Sequence, residues 1–305
     1  DYDQYSKYSK IVTDILTDKA PVVEKASIDE HYLDLTGMDR YFGCYKWISE
    51  VRKYIIQQTG LPISFGLSVN KTVSKIATGQ AKPNGQLNID LGTEKQFLAP
   101  LSIKKIPMVG DKAALLLKQL GINTIGIAQK MPVERMEQAL GENGVTIWKK
   151  ANAIDNSPIT PYSERKSISA EETFQNDTID LKLLKKTIVT MIDDLAFELR
   201  KENRLTSCIT LKIRYSNFDT HTQQYKIPYT SLDHVLLEKA MLLFDKLYSR
   251  RMLIRLIGIK FSGLVLGHHQ IDLFNNTEEQ INLYQAIDGI KNRFGVKAVL
   301  KAVTL

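Results

Sequence analysis

Apolar positions at Tyr8, Ile11, Val12, Ile15 and Leu16 recur every three or four residues, a spacing that predicts an amphipathic helix at the start of the chain. The period then changes. Ile28, Tyr32 and Leu33, with their apolar neighbours, predict a short strand pair, or one strand turning into another, with Asp29 and Glu30 near its tight end. A second helix is predicted over "YKWISEVRKYIIQQTG", closed by Gly60, and a strand in "PISFGLSV". Next, "NKTVSKIATGQAKPNGQ" predicts a helix with Val73, Ile76 and Ala77 on one face and Lys71, Lys75 and Lys82 on others, ended by Pro83 and Gly85. The alternation predicts an α/β layer through residue 101.

From residue 102 to 152 the pattern breaks into short helical stretches punctuated by Gly110, Gly121, Gly126, Gly141 and Gly144, with no strand signal, which predicts a small helical domain. A polar, Pro-bearing linker, "AIDNSPITPYSERKS", follows. Then "SISAEETFQ", "SCITLKIRYSNF", "THTQQYKIPY" and "IRLIGIKFSGLVL" alternate as strands, and two long stretches between them have helical period, giving the order β-α-β-β-α-β. The chain closes with a polar loop, "HHQIDLFNN", and a helix, "EEQINLYQAIDGIKNRF". The expected class is therefore α+β and multidomain, with segments 1–101, 102–160, 161–266 and 267–305.

Charge narrows the partners. Lys and Arg number 41 against 34 Asp and Glu in 305 residues, a formal charge of +7 that favours an acidic partner, nucleic acid being the commonest. Cys44 and Cys208 lie far apart without metal-ligand spacing, so the chain reads as reduced and cytoplasmic. No run reaches the roughly 18 consecutive apolar residues of a membrane span. The opening "DYDQYSKYSK" is no signal peptide and carries no initiator Met, so an upstream segment is expected.

Four stretches carry candidate chemistry. In an ideal strand adjacent side chains point to opposite faces, so Asp29 and Glu30 serve one site only if a turn or bulge turns both heads to one side; otherwise one acid is solvated and the other caps a turn. In "IKKIPMVGDKAALLLKQLGI", a turn through Val109 and Gly110 enters a helix closed by Gly121, either a helix-hairpin-helix or an ordinary helix–loop–helix. A hairpin of that kind offers backbone N–H groups and a helix N-terminus to a phosphate, with Lys104, Lys105 and Lys112 adding charge. Its usual first glycine is here Met108. Arg214 and Ser216, Thr222 and Gln224, and Arg255 and Lys260 furnish successive strands with polar groups, an open sheet face that either lies along a duplex or is simply solvated. In "QIDLF", Gln270, Leu273 and Phe274 suit an extended peptide docking in a partner's pocket, or pack back on their own domain.

Taken in order, "SIDEHYLDLTG", "SFGLSVNKTVSKIATGQAKPNGQ", "IPMVGDKAALLLKQLGI", "RKSIS" and "IRLIGIKFSGL" resemble the Y-family, translesion DNA polymerases, over nearly all of the chain. The resemblance implies a palm, a small thumb with the helix-hairpin-helix, and a DNA-gripping little finger. Asp29 and Glu30 match the family's adjacent palm carboxylates, which hold two Mg²⁺ ions for phosphoryl transfer. Lys82 matches the lysine that contacts the incoming triphosphate, with Lys71 and Lys75 as further phosphate or primer candidates. Val109, Gly110, Lys112, Arg165, Lys166 and the sheet residues fall to DNA, and "QIDLF" resembles a sliding-clamp peptide. Implied partners are primer–template DNA, deoxynucleoside triphosphates and the clamp, for a monomer without a membrane anchor.

The family also begins with a strand bearing a third metal-ligand aspartate and a fingers domain, neither of which precedes Asp1, and Gly79 stands where relatives often carry an acid. The chain alone is therefore expected not to polymerise, being either a fragment or a natural short form that only binds DNA and the clamp. A sheet without its central strand predicts local disorder around "SIDE", or pairing with another chain. The competing reading is a non-catalytic DNA- and clamp-binding accessory protein.

Overall fold

The opening helical period folds as α1 (Tyr2–Lys19), and the chain then doubles back as the antiparallel hairpin β1 (Val22–Lys25) and β2 (His31–Asp34), registered Glu24 to Tyr32 and Lys25 to His31. The computed structural model describes residues 2–38, 43–161, 164–248, 252–267 and 277–302. They form two compact units, Asp1–Ser163 and Glu164–Leu305. In the first, α2 (Cys44–Thr59) ends at Gly60, whose φ of 70° is the left-handed cap that glycine adopts without a Cβ clash. Leu16, Ile48, Val51 and Ile55 bury together between α1 and α2.

A parallel pair, β3 (Phe65–Leu67) and β4 (Gln86–Asn88), is crossed by α3 (Lys71–Ala81). Asn70 caps α3 by accepting from the Val73 N–H. Gly66 fixes how close α3 lies to β3, because a Cβ there would stand 2.5 Å from the backbone Ser74 O and Thr78 N. Val73, Ile76 and Ala77 are buried, so the face predicted to be apolar is the face that packs.

Five short helices follow: α4 (Glu94–Leu98), α5 (Asp111–Gln119), α6 (Ile125–Lys130), α7 (Val133–Leu140) and α8 (Glu142–Ala151), with an isolated bridge between Ser102 and Thr124. One core runs from Val73 and Ile76 through Leu98, Ile106 and Leu117 to Ile147 and Ala151, so the helical segment shares its interior with α3. Each fully buried Ile or Leu there contributes about 1.5–3 kcal/mol.

The second unit is β5 (Ser167–Thr178), α9 (Leu181–Lys201), β6 (Arg204–Tyr215), β7 (Thr220–Thr230), α10 (Asp233–Leu247) and β8 (Ile254–Leu266). The sheet is antiparallel in the order β5-β8-β6-β7. Ile209, Leu211 and Ile213 alternate toward the two helices, where they meet Leu184, Ile188, Leu236 and Phe244. The last helix, α11 (Thr277–Phe294), returns onto this unit: Arg200 on α9 bridges Asp288 and Asp233, and Lys291 meets Asp193 at 2.6 Å. Among the described residues no helix is long and apolar enough to cross a membrane.

Candidate functional site

Asp29 and Glu30 sit in the turn between β1 and β2 rather than in a strand, so alternation does not force them apart. The turn is fixed through its backbone, the Glu30 carbonyl accepting from Ala26 N–H at 3.0 Å and Ser27 N–H at 3.2 Å. From α1, the Ser9 hydroxyl donates to the Ile28 carbonyl. The segment expected either to be locally disordered or to pair with another chain is here closed by these bonds as a hairpin end. The Ser27 hydroxyl donates to Asp29 Oδ1 at 2.7 Å. That bond, then one from the Tyr5 hydroxyl, with the Lys82 charge adding a smaller effect, hold the Asp29 carboxyl below its ordinary value against the opposing pull of burial.

The α3 lysines converge on the same hairpin. Lys75 Nζ meets Glu30 Oε2 at 2.5 Å. One turn earlier, Lys71 meets Glu24 Oε2 at 2.6 Å, donates to the Pro158 carbonyl at 2.9 Å and lies 5.1 Å from the Tyr32 ring centre. Lys82 is exposed where α3 ends. Burial first, then the charges of Glu30, Glu24 and Asp155, push the Tyr32 hydroxyl up to about 12. Asp155 Oδ2 accepts from the Thr72 N–H and hydroxyl at 3.1 and 2.6 Å. Burial would raise its pKa, but bonds from Ser157 and Thr72 outweigh burial and hold it below the ordinary value. A cleft of about 180 Å³ opens beside Tyr32, Lys71, Pro107, Lys150 and Asp155. For a hard divalent cation the exposed Asp29 and the half-exposed Glu30 are the fitting oxygen donors. Among the described residues no third His, Cys or acid joins them as a metal cluster.

At the turn before α5, the Val109 N–H donates to the Ile106 carbonyl at 3.1 Å and the Gly110 N–H to the Met108 carbonyl at 3.2 Å. Those two donors are used inside the turn. The first N–H groups of α5, at Asp111, Lys112 and Ala113, have no intrahelical acceptor and no side-chain cap at Gly110. Exposed Lys112 stands there, and Lys104 is paired with Asp111 at 3.1 Å.

On the helix-free face of the sheet, cross-strand register assembles rows. Ser169, Lys260, Thr210 and Gln224 form one, and Glu171, Gly258, Lys212 and Thr222 the next. Arg214, two residues from Lys212, donates to the Thr220 hydroxyl at 2.8 Å. Arg255, expected on this face with Lys260, falls out of register with it. Tyr215 and Arg214 pair with Ile254 and Leu256, so Arg255 is the extra residue of a bulge, near Asp177 at 3.5 Å and over the Phe218 ring. Ser216 lies past β6, its N–H on the Leu253 carbonyl. Arg165 is held by Glu198 and Glu202, and Lys166 is exposed. Gln270, Leu273 and Phe274 lie outside the described residues. Sequence reasoning missed Lys212 and Lys226, although both continue the even spacing of Arg214 and Gln224. It also missed Ser27, Glu24 and Asp155; only the D-x-S spacing of Asp155 and Ser157 hinted at a cap.

Residues 1–79 match the family model described as "impB/mucB/samB family", and residues 165–273 that of the "impB/mucB/samB family C-terminal domain". The chain is 33% identical over 298 residues to the protein named DNA polymerase IV of Dehalococcoides mccartyi strain BAV1, covering 97% of this chain and 76% of that protein. It is 32% identical to the DNA polymerase IV of Clostridium kluyveri, covering 100% of this chain and 80% of that one. Its fold resembles that of a solved Y-family DNA polymerase chimera of Dbh and Dpo4, at a TM-score of 0.73 and 23% identity over 88% of this chain and 78% of the other. DinB from Sulfolobus solfataricus superposes at a TM-score of 0.55 with 23% identity, over 88% of this chain and 79% of that one.

Proposed function

The chain belongs to the impB/mucB/samB family, a lineage of Y-family DNA-directed DNA polymerases, and from that premise we propose that its protein extends primer 3′ ends across damaged templates by metal-dependent phosphoryl transfer. The observation that carries the chemistry is the adjacent pair Asp29 and Glu30 at a hairpin turn, where strand alternation does not force the two carboxylates apart. In this reading the pair holds Mg²⁺, which when bound lowers the barrier by activating the primer hydroxyl and neutralising charge on the transferred phosphate. Ser27 and Tyr5 keep Asp29 anionic and oriented. Lys82, exposed and close enough for its charge to act on Asp29, takes the triphosphate.

Duplex binding is assigned to two surfaces, each sequence-independent because it offers donors to phosphate rather than to base edges. One is the start of α5, where the first-turn N–H groups and Lys112 replace Val109 and Gly110 as donors. We read that hairpin as the thumb's, and the β5-β8-β6-β7 sheet as the little finger, with Lys260, Thr210, Lys212, Arg214, Thr222 and Gln224 along the duplex. The peptide Gln270 to Phe274 is assigned to a sliding clamp, on the strength of its sequence alone. By themselves these 305 residues are proposed to bind DNA as a monomer without extending a primer.

Primer extension by the full-length protein tests the reading. Asp29→Ala and Glu30→Ala should each lower extension by orders of magnitude while leaving DNA affinity within a few-fold, since neither carboxylate is assigned to phosphate binding. Extension that survives the double change overturns the assignment, and extension by the isolated chain overturns its proposed inactivity.

A further inference from the structure

The two α3 lysines that reach the hairpin are held differently. Lys71 is largely buried and has three partners, Glu24, the Pro158 carbonyl and the Tyr32 ring. Lys75 is half-exposed and meets Glu30 at 2.5 Å. Its root cannot drift, because the buried face of α3 and the close approach at Gly66 fix the helix against β3. Glu30 is the complementary case. Its backbone carbonyl is locked by two turn N–H groups, while its carboxylate reaches out of the turn toward α3.

Resting on the reading that Asp29 and Glu30 bind a divalent cation, we infer that Lys75 is a positioning residue, a built-in counter-ion that holds the Glu30 carboxylate in place until the divalent ion displaces it. A carboxylate on a turn has several rotamers open to it, and an anion pair side by side repels itself. A rigidly rooted ammonium removes both problems before any ion arrives. It also competes. A divalent cation taking Glu30 Oε2 meets the repulsion of an ammonium that lies 2.5 Å from the same oxygen and so works to expel it. Lys75 therefore orients the ligand and at the same time weakens ion binding. None of this applies to Lys71, whose buried site and multiple partners tie it to structure.

The test is a titration of the 305-residue chain with Mn²⁺, which takes the same hard oxygen ligands and is followed by water-proton relaxation. Lys75→Met should tighten Mn²⁺ binding roughly two- to fivefold, the range set by the modest strength of a half-exposed pair. The gain should shrink as KCl is raised and the lost pair is screened anyway. Lys75→Arg should return the affinity to that of the parent chain. A merely structural lysine would change thermal unfolding and leave Mn²⁺ affinity alone. Unchanged or weaker binding in Lys75→Met, with Glu30→Gln still losing the ion, overturns the counter-ion role. Mn²⁺ binding indifferent to both Asp29→Asn and Glu30→Gln overturns the underlying ion site, and the inference with it.

Discussion

Met108 has a φ of 82° and is 68% exposed, so it occupies a left-handed conformation without burying its side chain in return. That conformation costs an L-residue about 1–2 kcal/mol, while a glycine's freer unfolded state gives back roughly 0.4–1 kcal/mol, so Met108→Gly should stabilise the first unit by about 0.5–1 kcal/mol. Urea unfolding checks it, with a lowered midpoint as the refuting outcome. Asp155 gives a pH-dependent counterpart. Its folded pKa lies below the ordinary carboxylate value, so its contribution is complete at neutral pH and is lost as pH falls through the folded value. Asp155→Ala, which removes the acceptor for the Thr72 N–H, should cost about 1 kcal/mol at pH 7 and progressively less in acid. An equal loss at both pH values would mean that packing, not the charge, is what Asp155 supplies.

At the scale of elements, legibility followed period. The helices α2 and α3 and the strands of the second unit were readable because a buried stripe repeats at a fixed interval, and β6 alternates buried and open positions along most of its length. The carboxylate pair was readable as residues but not as geometry. Alternation argued against a shared site, and only the turn between β1 and β2 removes that objection. Partners that come from distant sequence, such as Lys75 for Glu30 or Glu24 for Lys71, left no local signal, since nothing within a helical turn of either lysine names its acid. Bulges were invisible for the same reason: the extra residue at Arg255 is defined by its partner strand. Element packing also carries two predictions. Gly66→Ala would drive a Cβ into the α3 backbone and should destabilise by about 1–3 kcal/mol. Arg200→Met, which removes the guanidinium shared by Asp233 and Asp288 and leaves Asp233 the Lys301 ammonium at 3.0 Å, should cost about 1–3 kcal/mol. Denaturant titration of the whole chain measures both, and a cost for Arg200→Met below that of an exposed pair would show that α11 is not held by this network.

At the scale of the molecule, a formal charge of +7 says that an acidic partner is favoured but not where it binds. In the proposed reading the sheet face is that place, and it carries one detail that net charge hides. Lys212 is already occupied, its ammonium 2.8 Å from Glu171 across Gly258, a crossing that the missing Cβ allows. Lys260, one row away, has no such acid in its row of Ser169, Thr210 and Gln224. The two lysines should therefore differ as phosphate ligands. Lys260→Ala should weaken duplex binding equally for unrelated sequences and reduce the slope of log affinity against log salt by about 1. Lys212→Ala should reduce it by less, because phosphate has to displace Glu171 to reach it. Glu171→Gln should do the opposite of both, releasing Lys212 and removing a repulsive anion, so that affinity at low salt rises and the slope steepens. Fluorescence anisotropy over a KCl series separates these cases. If the two lysine variants and Glu171→Gln all leave the slope unchanged, this face is solvated rather than bound, and the positive charge that meets DNA must lie elsewhere on the molecule.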